Sequence, residues 1–399
     1  MKKPILFLCF IFISICLYGQ GRWVGTWAAA TQITPEKFKP RTTMDGASLR
    51  QIVRVSIGGE QLRLQPSNRY GNGLLRIHDV YIAPALDSCQ IDTSSVCHLT
   101  FSGQPSVTIE AGMEVYSDAA DFHLSALQPL SITINYEACP QEITCHNGSF
   151  STSYIHTGIS TPDTDFTASE RVNHWYNISA IDVWREDALA VAILGNSITD
   201  GHGSTMNAFT TWPDIMASAL SSYHVGVLNL GIGANCVTLD RGLGEPAVMR
   251  FDHDILGQQG VEAIIVFQGV NDIGAMKGDT TLCERTAANL IAAYHDFIQK
   301  AHRQGIKIFG ATITPFYHSK YYKPGHEHVR QTVTRFIRES GAFDDVIDFD
   351  IVVRDDADIR SLRPDFHCGD WLHPNDAGYR AMGEFAITHL LRNFCLTAQ

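Results

Sequence analysis

Ala190-Val191-Ala192-Ile193-Leu194-Gly195-Asn196-Ser197-Ile198-Thr199-Asp200-Gly201 is the stretch that decides the fold. The run Ala190–Leu194 has no polar break, so if extended it is buried on both faces, as a strand inside a parallel sheet is. A glycine-bounded polar turn comes directly after it. Four further apolar runs succeed it: Val225–Leu230, Ala263–Phe267, Ile306–Ile313 and Val346–Phe349. Between the third and fourth runs of the series, Ala287, Leu290, Ile291, Tyr294, Phe297, Ile298 and Ala301 repeat at helical spacing. A second helical stripe, Ala377, Met382, Phe385, Ala386, His389 and Leu390, closes the chain. Strands alternating with helices predict a parallel sheet covered on both faces, in an α/β domain over 188–399.

Upstream the period changes to two. Leu49, Val53, Val55 and Ile57 alternate with Arg50, Arg54 and Ser56, and Leu62 and Leu64 resume after Gly58-Gly59. This spacing predicts a hairpin with a two-residue turn. Val107 and Ile109, then Ile132, Ile134 and Tyr136, continue the alternation. Strands without helices between them predict an antiparallel β-sandwich or jelly-roll-like domain over 21–187. The polar stretch 138–187 reads as loops leading to the second domain.

The first 20 residues have a different character. Lys2 and Lys3 precede the apolar run Ile5–Leu17, and the short polar stretch Tyr18-Gly19-Gln20 comes next, the pattern of a removable export leader. The expected location is therefore periplasmic or extracellular, with no membrane span. Beyond the leader stand Cys89, Cys97, Cys139, Cys145, Cys236, Cys283, Cys368 and Cys395. An even count in an exported chain predicts disulfides; eight cysteines allow 105 pairings, of which the short separations single out Cys89–Cys97 and Cys139–Cys145 and leave Cys236–Cys283 and Cys368–Cys395 as the remainder, with buried thiols as the alternative. No C-x-x-C is present and His326-x-His328 has no partner acids in view, so no metal is expected. The acidic run Asp344 to Asp358 reads as solvated surface. A net charge of −12 with no basic run excludes a protein whose main partner is nucleic acid.

In an open parallel sheet, sites form beyond the carboxyl ends of the strands. Ser197 comes after the first run, Gly231-Ile232-Gly233-Ala234-Asn235 after the second, and Gln268-Gly269-Val270-Asn271-Asp272 after the third. Asp370-Trp371-Leu372-His373 comes some twenty residues after the last. These are the parts of an acyl-transfer site. A serine hydroxyl is a weak nucleophile until a base takes its proton, and an imidazole can take that proton and return it to a leaving alcohol. Asp370, three residues before His373, can orient the ring and stabilise its charged form. Backbone N–H groups at Ser197 and at the 233–234 turn, with the Asn271 amide, can converge on the oxyanion. Each motif alone is ordinary turn or cap chemistry; their joint occurrence at strand ends is not.

These blocks resemble those of the SGNH hydrolases, or GDSL esterase/lipase superfamily. Ser197, Asn271, Asp370 and His373 match residue by residue, and Leu372-His373-Pro374-Asn375-Asp376-Ala377-Gly378-Tyr379 is similar as well. The resemblance implies a flavodoxin-like αβα catalytic domain and ester hydrolysis through an acyl-enzyme, without metal or cofactor. The opening Trp23-Val24-Gly25-Thr26-Trp27 and the β-rich first half look like the secreted bacterial branch that includes carbohydrate acetylesterases. Two positions depart from the pattern. Asn196 stands where the family has Asp, and Ala234 stands at its oxyanion-hole glycine unless the alignment slides to Gly233. The implied substrate is an acylated carbohydrate or another small ester. Trp371, between Asp370 and His373, either offers a face to a sugar ring or fills core beneath the loop. A lipase or arylesterase of the same mechanism, and a non-catalytic glycan-binding protein on a degenerate hydrolase scaffold, are the competing expectations.

Overall fold

The computed structural model describes residues 21–277 and 280–394. The leader-like stretch 1–20 and Cys395 lie outside the described residues. Five parallel strands form the sheet of the second half: β1 (Leu189–Gly195), β2 (Val225–Gly231), β3 (Val261–Phe267), β4 (Lys307–Ala311) and β5 (Asp345–Ile347). Their order is β2-β1-β3-β4-β5, the doubly wound flavodoxin-like arrangement. The helices that bear on the site are α1 (Ser197–Asp200), α2 (Trp212–Leu220), α3 (Val270–Ala275), α4 (Thr280–Arg303), α5 (Pro324–Glu339) and α6 (Asp376–Phe394). Alternate residues of β1 enter opposite layers. Ala190, Ala192 and Leu194 join Leu290 and Phe297 of α4; Val191 and Ile193 join Trp212 of α2 and Met382 of α6. The register aligns the strand ends, because Gly195 pairs with Gly231 on one side and Phe267 on the other. Three strands thus end on the same rung, and their turns leave from one edge.

The first half is built of antiparallel sheets. A four-stranded sheet runs in the order 22–28, 178–185, 59–66, 120–124. A seven-stranded sheet centres on 47–54, 129–138 and 75–84. Leu62 and Val183 of one sheet and Leu49, Ile132 and Val80 of the other fill a common core. That core is continuous with the layer holding Ala190 and Leu194.

Several expectations are corrected. The strands on either side of Gly58-Gly59 do not form a hairpin. Strand 47–54 pairs with 129–138 and 153–157, whereas 59–66 pairs with 178–185 and 120–124. The chain crosses between sheets there, since both flanks carry apolar residues for one core. Gly58 is small because a Cβ would stand 2.2 Å from Leu124 O and 2.8 Å from Ala126 N. The stretch 138–187 is not merely loop, because 178–185 is an inner strand with Ile178, Ala180, Ile181 and Val183 buried. The acidic run is not a solvated face. Asp350 is buried against Arg330 (2.7 Å), and Asp345 binds Arg392 (2.7 Å).

The expected disulfides among the described residues are absent: Cys89, Cys97, Cys139, Cys145, Cys236, Cys283 and Cys368 are thiols. Cys89 packs with Tyr154 and Phe166, while Cys97 lies against the main core, so a short separation leads to two different clusters. Cys145 directs its Sγ at Asn147 Oδ1 (3.1 Å), and Cys283 faces Gly325 of α5. The expected partner of Cys368, Cys395, lies outside the described residues. Among the described residues, no helix is long and apolar enough to cross a membrane.

Both contacts at Gly58 are backbone, so Gly58→Ala should separate the 124–126 segment from the crossing and destabilise the protein by about 1–3 kcal/mol. A thermal melt with an unchanged Tm would contradict this account of the crossing.

Candidate active site

β1 ends at Gly195, and Asn196 caps α1 by accepting the Ile198 N–H at 3.0 Å. An Asn cap performs the same hydrogen bonding as Asp, so the departure at this position leaves the turn intact. Ser197 is the first residue of α1 and is half-buried. Its Oγ lies 2.8 Å from His373 Nε2. On the other side of the ring, Nδ1 lies 2.6 Å from Asp370 Oδ2. Asp370 Oδ1 accepts the N–H groups of Leu372 (3.0 Å) and His373 (2.9 Å), which closes the tight turn that presents the imidazole. Partial burial pushes the Asp370 carboxyl pKa up. Hydrogen bonds from the His373 ring and from the His373 and Leu372 backbone overcome this and hold it well below the usual range. Trp371, at the centre of this turn, takes φ +59°.

The second and third turns lie on the same edge. Asn271 is the second residue of α3, where its Nδ2 donates to Asn235 O at 2.9 Å and its Oδ1 accepts Tyr321 Oη–H at 3.0 Å. Asp272 accepts the N–H groups of Val237 (2.7 Å) and Thr238 (2.9 Å). The turn after β2 is therefore tied down at 235, 237 and 238. Ala234 precedes these anchors, exposed and at φ +57°, whereas Gly233 does not take positive φ. Position 234 is the one whose conformation favours glycine. Alanine holds it there at a cost.

Residues 193–381 match the sequence profile of the GDSL-like Lipase/Acylhydrolase family. This segment is a GDSL-like lipase/acylhydrolase domain. No curated protein sequence matches the chain. Among solved structures, a catalytic mutant of an acetylxylan esterase from Geobacillus stearothermophilus is 16% identical; the match covers 52% of this chain and 95% of that one, with a TM-score of 0.38. Another acetyl xylan esterase is 20% identical over 51% of this chain and 100% of its own, with a TM-score of 0.38. A GDSL-like lipase from Bacteroides thetaiotaomicron is 15% identical over 51% and 88%, at 0.38.

The GDSL-like domain contains more than its motifs. Arg250 is buried beneath the strand ends. It donates to Leu230 O (2.9 Å), Gly195 O (3.0 Å) and Asn235 Oδ1 (3.1 Å), and pairs with Asp254 (3.1 Å). Asp254 in turn holds His253 (2.8 Å), whose other nitrogen meets Glu114 of the β-rich half (2.7 Å). His146, also from the β-rich half, reaches Asp200 at the end of α1 (2.9 Å), and both side chains are buried. Around Trp371, the His367 ring stacks at 4.1 Å and the His318 ring tilts at 4.9 Å, and Tyr317 lies 4.0 Å beyond His318. The His202 ring is 4.3 Å from that of His373. Of these neighbours His202 and His367 lie within a few residues of Ser197 and Asp370, whereas Arg250, His146, Tyr317 and His318 come from segments that carry no motif.

Burial alone would depress the His253 imidazolium; Asp254 and Glu114 overcome it and raise its pKa to about 9. A folded value above the ordinary value near 6.5 contributes stability in full below about pH 6.5 and loses it as pH rises through 9. His253→Gln should remove that part of the alkaline decline in unfolding free energy, measured by urea denaturation across this window. An identical slope in both proteins would contradict the assignment. Ala234→Gly should raise the Tm, relieving strain worth about 1 kcal/mol; a lower Tm would mean that the alanine methyl is held by packing.

Proposed function

We propose that this chain is an exported serine esterase that removes short acyl groups, acetyl foremost, from carbohydrate. The leader is assigned to 1–20, the β-rich domain to 21–187 and the catalytic domain to 188–399. The observation that carries the reading is the continuous line from Ser197 Oγ to His373 Nε2 at 2.8 Å and from His373 Nδ1 to Asp370 at 2.6 Å. Hydrogen-bond contact on both sides of one imidazole is what a serine nucleophile requires.

In the proposed reaction Ser197 Oγ attacks the ester carbonyl and its proton passes to His373 Nε2. Asp370 stabilises the imidazolium that forms. The carbonyl oxygen becomes anionic and accepts hydrogen bonds from the Ser197 and Ala234 backbone N–H groups and from Asn271 Nδ2. That amide keeps a second hydrogen beyond the one given to Asn235 O. Collapse expels the alcohol, which takes the proton from His373. Water then attacks the acyl-enzyme with His373 as base, releasing the acid and restoring Ser197.

Trp371 supports a sugar alcohol, because a ring flanked by His367 and His318 offers a broad aromatic surface on the same turn as His373. The leader-like stretch supports contact with polysaccharide outside the cell.

Hydrolysis of an aryl acetate should be measurable, and Ser197→Ala should reduce kcat by about four to six orders of magnitude. Absence of turnover in the parent protein would favour the glycan-binding alternative. Acetylated xylan fragments should be preferred over long-chain acyl esters; the opposite preference would replace the carbohydrate reading with that of a lipase or arylesterase.

A further inference from the structure

We propose that His202, Cys368 and Asp370 form a binding site for a thiophilic divalent cation, Zn2+ foremost, whose occupation switches the esterase off. The imidazole, thiol and carboxylate donor atoms of these three residues lie within 4.8 Å of one another. The proposed reaction uses neither His202 nor Cys368. Two loops bring them together. The His202 N–H donates to Ser197 O (2.9 Å) just after α1, and the Cys368 N–H donates to His373 O (3.0 Å) on the loop that carries the base. Gly203 lets these loops touch: at φ +96°, a Cβ there would stand 3.1 Å from Cys368 Cβ.

The donor set determines the class of ion. Thiolate and imidazole favour zinc and the later first-row metals over magnesium and calcium. Three protein donors with a fourth position left to water is a common zinc arrangement. Zinc bonds of about 2.0–2.3 Å hold its donors roughly 3.5 Å apart, so the three side chains must close by about an ångström. All three are exposed, which allows that adjustment and lets the ion enter from solvent. Binding forms the S–Zn bond as the thiol proton leaves to water.

Inhibition arises through Asp370, and this part rests on the esterase reading. The Asp370 carboxylate already holds His373 Nδ1. A dication on the same carboxylate cancels the negative charge that stabilises the imidazolium. It also places positive charge beside a ring that must become cationic during attack.

Two measurements on the metal-stripped full chain separate the site from the activity. Co2+ should add with a thiolate-to-metal charge-transfer absorption, be displaced by Zn2+, and give no such band with Cys368→Ser. Zn2+ should inhibit aryl acetate hydrolysis reversibly by chelator. Cys368→Ser and His202→Asn, each compared with its own metal-free rate, should require at least about tenfold more Zn2+ for half-inhibition. The proposal is overturned if the parent protein shows no cobalt–thiolate band, if both variants keep the parent's zinc sensitivity, or if Mg2+ inhibits equally. Should the protein have no esterase turnover, the proposed function fails and the cobalt titration alone still decides the site.

Discussion

The arrangement depends on the guanidinium of Arg250. A parallel sheet leaves the last carbonyls of its strands without ladder partners, where the next residues must turn away for chemistry. Here Gly195 O, at the end of β1, accepts from Arg250 Nη2 (3.0 Å), Gln268 Nε2 (2.7 Å) and the Ile232 N–H (3.2 Å). Asn235 Oδ1 accepts from both Arg250 (3.1 Å) and Gln268 (3.1 Å). One buried cation and one buried amide thus tie the exits of β1, β2 and β3 to each other. Ser197, Ala234 and Asn271 stand a few residues from those knots. Planar, multidentate donation suits Arg and could not be reproduced by Lys.

Burying that cation requires compensation. Asp254 supplies it directly, and His253 and Glu114 extend the alternation of charge into the β-rich half. Breaking a buried pair typically costs about 3–5 kcal/mol, because the surviving charge is left without water or partner. The polar network beneath the catalytic edge is therefore also a joint between the two halves of the chain. A second joint is the buried His146–Asp200 pair, where burial opposes the imidazolium and the Asp200 charge restores it, raising the His146 pKa.

What could be read from the sequence was what short-range pattern encodes. The run Ala190–Leu194 had to be an inner strand, and its ends, with Ser197, Asn271, Asp370 and His373, could be placed on one edge by the rule for open α/β sheets. Harder to read was whatever depends on two distant segments meeting. Gly58-Gly59 has the composition of a hairpin turn, yet tertiary packing makes it a crossing between sheets. Strand 178–185 is hidden in a polar neighbourhood because its partners are 22–28 and 59–66. The spacing of Cys89 and Cys97 suggested a bridge, while packing sends them to different clusters. Asp350 looked like one member of an acidic surface run, and its meaning appears only once Arg330 and Arg338 arrive from α5. The left-handed backbone at Ala234 leaves no trace in composition.

The strand at 22–28 has a further consequence. Its Gly25 N–H donates to Gln259 O (3.0 Å) just before β3, while nearby Ser56 Oγ accepts the Val227 N–H of the outermost parallel strand (3.0 Å). The first half thus satisfies an amide on the exposed side of β2 and a carbonyl ahead of β3, covering part of an edge that would otherwise stand open. These halves are not interchangeable modules. Transplanting the hydrolytic portion onto another partner would leave the Val227 N–H without its Ser56 acceptor and Asp200 without the His146 imidazole, exposing polar groups that the first half keeps satisfied.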